Sequence, residues 1–211
     1  MKTALDKARE APGSTKARIL GAAEEAFAAR GFEGASTREI AARAGVNISS
    51  LHYHWESKET LYVAVFRNVF DQIRSVLQET LPPLLAEHRD PDAVIDLTVS
   101  RLYDFFAGNP NMPKLLMRRI IENESGDFGI ERDVLAPAWK EFSAWLGRLN
   151  SGRKISEIEG RLFMLTVYTV LMVYLLDSGP YQTLLGGSVR SGALAGHVRQ
   201  HVITIVRQLL A

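Results

Sequence analysis

The chain contains no cysteine. That excludes a disulfide framework, a thiolate metal site and a cysteine nucleophile. Net charge is also nearly absent, because 25 Lys and Arg stand against 24 Asp and Glu, leaving +1 at pH 7. Any grip on nucleic acid must therefore come from local arrangement and not from a global positive field. Long apolar runs are missing too. The longest apolar-rich stretch, LFMLTVYTVLMVYLL from Leu162 to Leu176, has 15 residues and includes Thr and Tyr. It falls short of the ~20 that span a bilayer and reads as a buried core helix. The opening MKTALDKAREAPGS lacks the apolar segment of a secretory signal. These absences lead us to expect a cytoplasmic protein with no membrane partner. No alternating run is long enough to argue a sheet, and there is no internal repeat.

What is present is helical. With 211 residues, 46% of them hydrophobic, the chain can bury a sizeable core. Residues 1–13 carry mixed charge and end in Pro-Gly, so they read as a mobile arm. Ile19, Ala23, Ala26 and Phe27 recur at helical spacing after a Ser14 cap, and Gly31 marks a stop. Two short helices follow, about 37–44 and 48–53. Ser57 caps a long helix carrying Leu61, Val65, Val69, Ile73 and Leu77, expected to end near Pro82-Pro83. Further helices are predicted over 91–107, 113–122, 130–149, 156–176 and 194–210, nine in all, with 177–193 read as a Gly-rich loop.

The densest cluster of small residues, hydroxyls and histidines is STREIAARAGVNISSLHYHWESKE, Ser36 to Glu59. Ser36 and Glu39 have the spacing of a capping box. Gly45 permits a left-handed turn. Helices this short are marginal alone, so they must be clamped, with Ile40, Val46 and Leu51 turned inward and Ala41 and Ala44 allowing close approach. Two short helices across such a turn make a helix-turn-helix. The second then turns outward Asn47, Ser49, Ser50, His52, Tyr53 and His54, short or planar groups suited to groove edges and phosphate oxygens. Within Ser36–Glu59 the cations Arg38, Arg43 and Lys58 balance Glu39, Glu56 and Glu59. Helix dipoles, amides and hydroxyls should therefore do much of the phosphate binding, assisted by Lys16 and Arg18.

The segment FEGASTREIAARAGVNISSLHYHWESKETLYVAVF resembles the DNA-binding segment of the TetR family of bacterial transcriptional regulators. The resemblance runs from about Lys16 to Phe66 and rests on Phe-Glu-Gly, Thr-Arg-Glu-Ile-Ala, Ala-Gly-Val, an aromatic-His cluster and Ser-Lys-Glu in combination. It implies an all-α fold. An N-terminal three-helix helix-turn-helix domain, residues 14–57, would precede a larger C-terminal helical ligand-binding and dimerisation domain, residues 58–211. It implies that 48–53 is the recognition helix, that Thr37 and Arg38 touch phosphate or a base edge, that Tyr53 and His54 contact the backbone, and that Lys58 binds phosphate. Ser49, His52 and Trp55 depart from the family pattern, which often has Gly, Tyr and Phe there. Trp55 is expected to keep a packing role.

Beyond this segment the residues carry weaker signals. Ser, His and Asp occur without a nucleophile motif, and no Gly-rich phosphate loop follows a strand, so an enzyme is not expected. His197 and His201 stand four apart, but no third ligand is near in sequence, so neither a metal nor a cofactor is expected. Arg118, Arg119 and Glu122 read as solvent-facing or as an interhelix pair. Tyr103, Phe106, Met117, Trp139, Phe163, Thr166, Tyr168 and Tyr174 lie on helices that, by the resemblance, surround an effector pocket; their composition fits a satisfied core equally well. The resemblance also implies that 156–176 and the last helix, with Val198, Val202, Ile205, Val206 and Leu209 along one side, form a homodimer interface. The reading is a homodimeric regulator of a near-palindromic double-stranded DNA operator, a repressor released by a small-molecule effector. The alternative is a helical ligand-binding or adaptor protein without operator binding.

Overall fold

The computed structural model describes residues 2–87, 90–121, 128–149 and 156–210, with backbone alone at 85 and 144–149. Among these residues there are eleven α-helices and no strand. They are α1 (Ala4–Glu10), α2 (Thr15–Gly34), α3 (Thr37–Arg43), α4 (Ile48–Trp55), α5 (Lys58–Ala86), α6 (Pro91–Gly108), α7 (Asn111–Ile121), α8 (Ala136–Leu149), α9 (Glu157–Leu175), α10 (Gly179–Leu185) and α11 (Gly192–Leu210), with a π-helical turn, Glu131–Leu135, leading into α8. The chain packs as two compact units. The first is Met1–Asp71 with Lys114–Val134, and the second is Gln72–Pro113 with Leu135–Ala211. The division between these units falls inside α5.

In the first unit, the expected mobile arm is a helix. Thr3 and Asp6 form a capping box, with the Asp6 amide donating to Thr3 Oγ1 at 3.2 Å and the Thr3 amide to Asp6 Oδ2 at 2.8 Å. Leu5 and Ala8 are buried. Arg9 donates to Asn68 Oδ1 at 3.0 Å and pairs with Asp71 at 2.8 Å, so the helix is docked on α5. The mixed charge that suggested solvation is spent on these partners. α2 starts at the Ser14 cap and breaks at Gly31, whose φ of 71° and ψ of −176° no helix contains. Ile19, Ala23, Ala26 and Phe27 are fully buried along it.

In the second unit, α6, α8, α9 and α11 pack together. Val94, Val99, Leu102 and Phe106 of α6 meet a core to which α9 contributes Met164, Leu171, Met172 and Leu175, and α11 contributes Val198, Val202 and Val206. Arg207 of α11 holds Asp96 of α6 at 2.6 Å and Asp92 at 3.2 Å. Arg199 pairs with Asp104 one face along.

Three expectations for this region change. α5 continues through Pro82 and Pro83 to Ala86, with the Glu87 amide bonded to the Pro83 carbonyl at 3.1 Å. The Gly-rich stretch holds α10, a helix with no buried residue, started by Pro180 in its first turn. α9, at 19 residues, is long and apolar enough to cross a bilayer by length and composition. It is not a wholly buried core helix, because Ile158 (61% exposed), Leu162 (56%) and Leu165 (46%) face outward. On α11, Val198, Val202 and Val206 are buried within the unit, whereas Leu209 is exposed.

Candidate nucleic-acid interface

The helix-turn-helix is assembled by local bonds. Ser36 Oγ accepts from the Glu39 amide at 3.1 Å, capping α3. The second half of the expected capping box is replaced. The Glu39 carboxylate turns to Arg30 at 3.0 Å and Arg43 at 3.1 Å, ion pairs that outcompete a return to its own cap. Arg43, also 3.5 Å from Glu25, is thereby a structural residue. The turn closes with the Val46 amide on the Ala41 carbonyl at 3.0 Å, and Gly45 supplies its positive φ of 65°. Ile40, Ala41, Ala44, Leu51 and Trp55 are buried, whereas Val46 is half-buried. Burying a Leu or Ile side chain contributes ~1.5–3 kcal/mol, enough to hold helices that cannot stand alone.

α4 then has two faces. Leu51 and Trp55 look inward, the latter with its indole Nε1 unpartnered among the described residues. Ser49, His52 and Tyr53 look outward, Tyr53 at 83% exposure. Asn47 is exposed, as expected, and also caps the helix. Its Oδ1 accepts from the Ser50 amide at 2.7 Å, which leaves only its amide NH2 for a ligand and brings Ser50 half under cover. His54 is also half-buried, edge-on to Tyr53 at 5.0 Å. Burial, and then the nearby charge of Lys16, hold its pKa below the ordinary histidine value. His52 Nδ1 lies 3.2 Å from the Glu56 carbonyl at the end of α4. Thr37 is half-buried and Arg38 exposed at the start of α3, and Lys16 is half-buried on α2. Ser57 caps α5 through the Thr60 amide at 3.1 Å, placing Lys58 at its first turn. The Lys58 ammonium sits 4.3 Å from the centroid of Phe32. The outward face thus brings together short hydroxyls, an exposed phenol, an imidazole and, at a helix N-terminus, a lysine. Such groups can bond phosphate oxygens and base edges.

This segment is where the chain is similar to known proteins. Residues 19–65 match the model described as bacterial regulatory proteins, tetR family. That segment is similar to the DNA-binding part of tetR-family regulators. Over 71 residues it is 41% identical to the HTH-type transcriptional regulator RutR of Escherichia coli K12, an alignment covering 34% of this chain and 33% of RutR. The chain therefore matches about a third of that relative's length. It is 25% identical over 139 residues to the HTH-type transcriptional repressor KstR2 of Rhodococcus jostii RHA1, 64% of each chain. A solved transcriptional regulator from Rhodococcus sp. Rha1 superposes with a TM-score of 0.65 at 19% identity, covering 90% of this chain and 95% of that one. That likeness shows the same fold along nearly the whole length of this chain.

The residues expected to line an effector pocket divide between the units. Met117 lies on α7 in the first unit, and the other seven lie in the second. Tyr103 and Phe106 are buried; Met117, Trp139, Phe163, Thr166, Tyr168 and Tyr174 are half-buried. The polar atoms of two are already engaged, because Tyr103 Oη donates to the Val189 carbonyl and Thr166 Oγ1 to the Leu162 carbonyl at 2.9 Å. Burial pushes the Tyr103 phenol up to about 12 and raises that of Tyr168 further.

The two arginines of α7 are neither free nor solvent-facing. Arg118 donates to the carbonyls of Ala28 and Ala29, and Arg119 makes a bidentate pair with Glu131. Glu122 lies outside the described residues. His201 packs edge-on to Tyr174 at 6.2 Å. Among the described residues no group of three or more His, Asp or Glu is placed to hold a metal. Sequence reasoning missed Phe32 as the seat of Lys58, since nothing in the pattern links residues 26 apart.

Proposed function

We propose that the chain is a DNA-binding transcriptional regulator whose α4 enters the major groove, acting as a homodimer on a near-palindromic operator. The observation that carries this reading is the division of α4. Its inward face is fully buried, and its outward face offers Ser49, His52 and Tyr53 to solvent beside Arg38 and the Lys58 helix start. Thr37, Arg38, Tyr53 and Lys58 would fix the module on phosphates, and Ser49, with the NH2 of Asn47, would reach base edges. His54 would donate from its ring to the backbone.

The homodimer is supported by the outward Ile158, Leu162 and Leu165 of α9, a row with i, i+4, i+7 spacing that water covers poorly. Repression as the sign of control is supported by the name of the relative KstR2, a repressor. A small molecule bound in the second unit would act by differential affinity for two states of the protein. α5 is the continuous element available to carry that preference, since Leu61, Val65 and Val69 of its first half are fully buried.

The test is selection of duplexes from a random pool by the purified protein, followed by mobility shift on the enriched sequence. Enrichment of an inverted repeat with half-sites about one duplex turn, ~34–36 Å, apart supports the reading. Failure to enrich any duplex, with no retention of mixed-sequence DNA at low salt, overturns it in favour of a helical adaptor.

A further inference from the structure

α2 is not completed by its own neighbours. A helix that breaks leaves its last carbonyls without the amides that would follow. At the Gly31 break, two of these carbonyls are taken by a residue some 90 positions away: Arg118 Nε donates to Ala28 at 2.9 Å and Nη2 to Ala29 at 2.7 Å. Past the break the chain presents Phe32, 6% exposed. One neighbour of that ring is Phe128 at 4.8 Å, and another is Tyr62 at 5.0 Å. Phe128 is held in turn by Arg119, whose guanidinium lies 5.9 Å from its centroid and is itself fixed by Glu131. Resting on Phe32 is the Lys58 ammonium at 4.3 Å.

A lysine side chain has four rotatable bonds, and holding its ammonium at one place costs rotamer entropy. A ring face under the ammonium offsets that cost by a cation–π attraction. The ring can do so only while its own orientation is fixed, and the segment Lys114–Val134 supplies both a ring packed against it, Phe128, and the arginine that closes the helix end just before it, Arg118. We propose that Phe128 and Arg118 are positioning residues for the phosphate contact of Lys58, acting through Phe32. The proposal rests on the reading of Lys58 as a phosphate ligand. In it, the first unit's nucleic-acid face is incomplete without a segment that follows it in the chain by more than fifty residues.

Two readouts on the full chain test it. Phe128→Leu and Arg118→Gln are compared with wild type, Lys58→Ala and the corresponding double variants, after circular dichroism confirms that each remains helical. By proton NMR, the Lys58 side-chain methylenes should resonate upfield in wild type from the Phe32 ring current, and should move toward free-lysine values in both single variants. In duplex binding, each single variant should weaken affinity about two- to fivefold. Each should also cost nothing further when Lys58 is already Ala. Arg118→Lys, which keeps one donor to the carbonyls, should recover part of the loss. Unchanged Lys58 resonances in both variants, or losses that simply add to that of Lys58→Ala, would overturn the proposal. If wild type binds no duplex, the function proposed above fails, while the NMR comparison still decides whether the two residues position Lys58.

Discussion

Arg119 clamps Glu131 with two parallel bonds, Nε to Oε1 at 2.8 Å and Nη2 to Oε2 at 2.9 Å, joining α7 to the π-helical turn twelve residues on. The Arg119 hydrogen bond holds the Glu131 carboxyl below its ordinary range, against a smaller opposing effect of burial. The sign follows from linkage. A carboxyl whose folded pKa is depressed contributes stability above the unfolded value of 4.5, and loses it as pH falls through the folded pKa. Glu131→Gln should therefore lower the urea midpoint at neutral pH and flatten its decline in acid. Since Glu131 is about half exposed, solvent screening keeps the effect small. Equal acid dependence in both proteins would remove the clamp from the ledger of stabilising contacts.

Lys58 begins α5, where the helix dipole and its own charge both favour phosphate. Lys58→Ala should weaken binding to every duplex alike and reduce the salt slope by ~0.9, one phosphate's worth of released counterion. Measuring affinity against salt for two unrelated duplexes checks this. A changed sequence preference at constant slope would mean that Lys58 reads bases.

The two faces of α4 predict opposite phenotypes. Leu51→Ala, at a fully buried site, should cost ~2–5 kcal/mol of stability in denaturant melts. Tyr53→Ala should leave the melt within about 0.5 kcal/mol of wild type, since its ring is mostly in solvent, while duplex affinity falls. Should Tyr53→Ala melt like Leu51→Ala, the outward orientation is wrong.

Leu162→Glu places a charge in the middle of the exposed α9 row without touching the core of its own unit. Sedimentation should report a monomer for the variant at concentrations where wild type is a dimer, with circular dichroism unchanged. A dimer that survives would put the interface elsewhere.

Tyr103→Phe separates core from pocket. The hydroxyl donates to the Val189 carbonyl across 86 residues, tying α6 to the segment before α11. Its loss should cost ~0.5–1.5 kcal/mol in thermal or urea unfolding, as for a buried hydrogen bond. A variant as stable as wild type would free this phenol for another role.

The capping of α2, α3 and α5 by Ser14, Ser36 and Ser57, the Gly45 turn and the inward Ile40 and Leu51 were all legible in the sequence. Each is a bond or a contact between residues a few positions apart, so side-chain chemistry and spacing specify it directly. α1 was read as a mobile arm, because its docking depends on Asn68 and Asp71, some sixty residues away. α10 left no apolar pattern to read, since none of its residues is buried. What tertiary structure alone decided is who completes whom. Glu39 chose Arg30 and Arg43 over its own cap, Arg118 took the carbonyls at the Gly31 break, and Phe32 became the seat of Lys58. Such pairings join residues that only packing brings together. A carboxylate or guanidinium satisfies its bonding with whichever partner is nearest after folding, and sequence distance does not enter that competition.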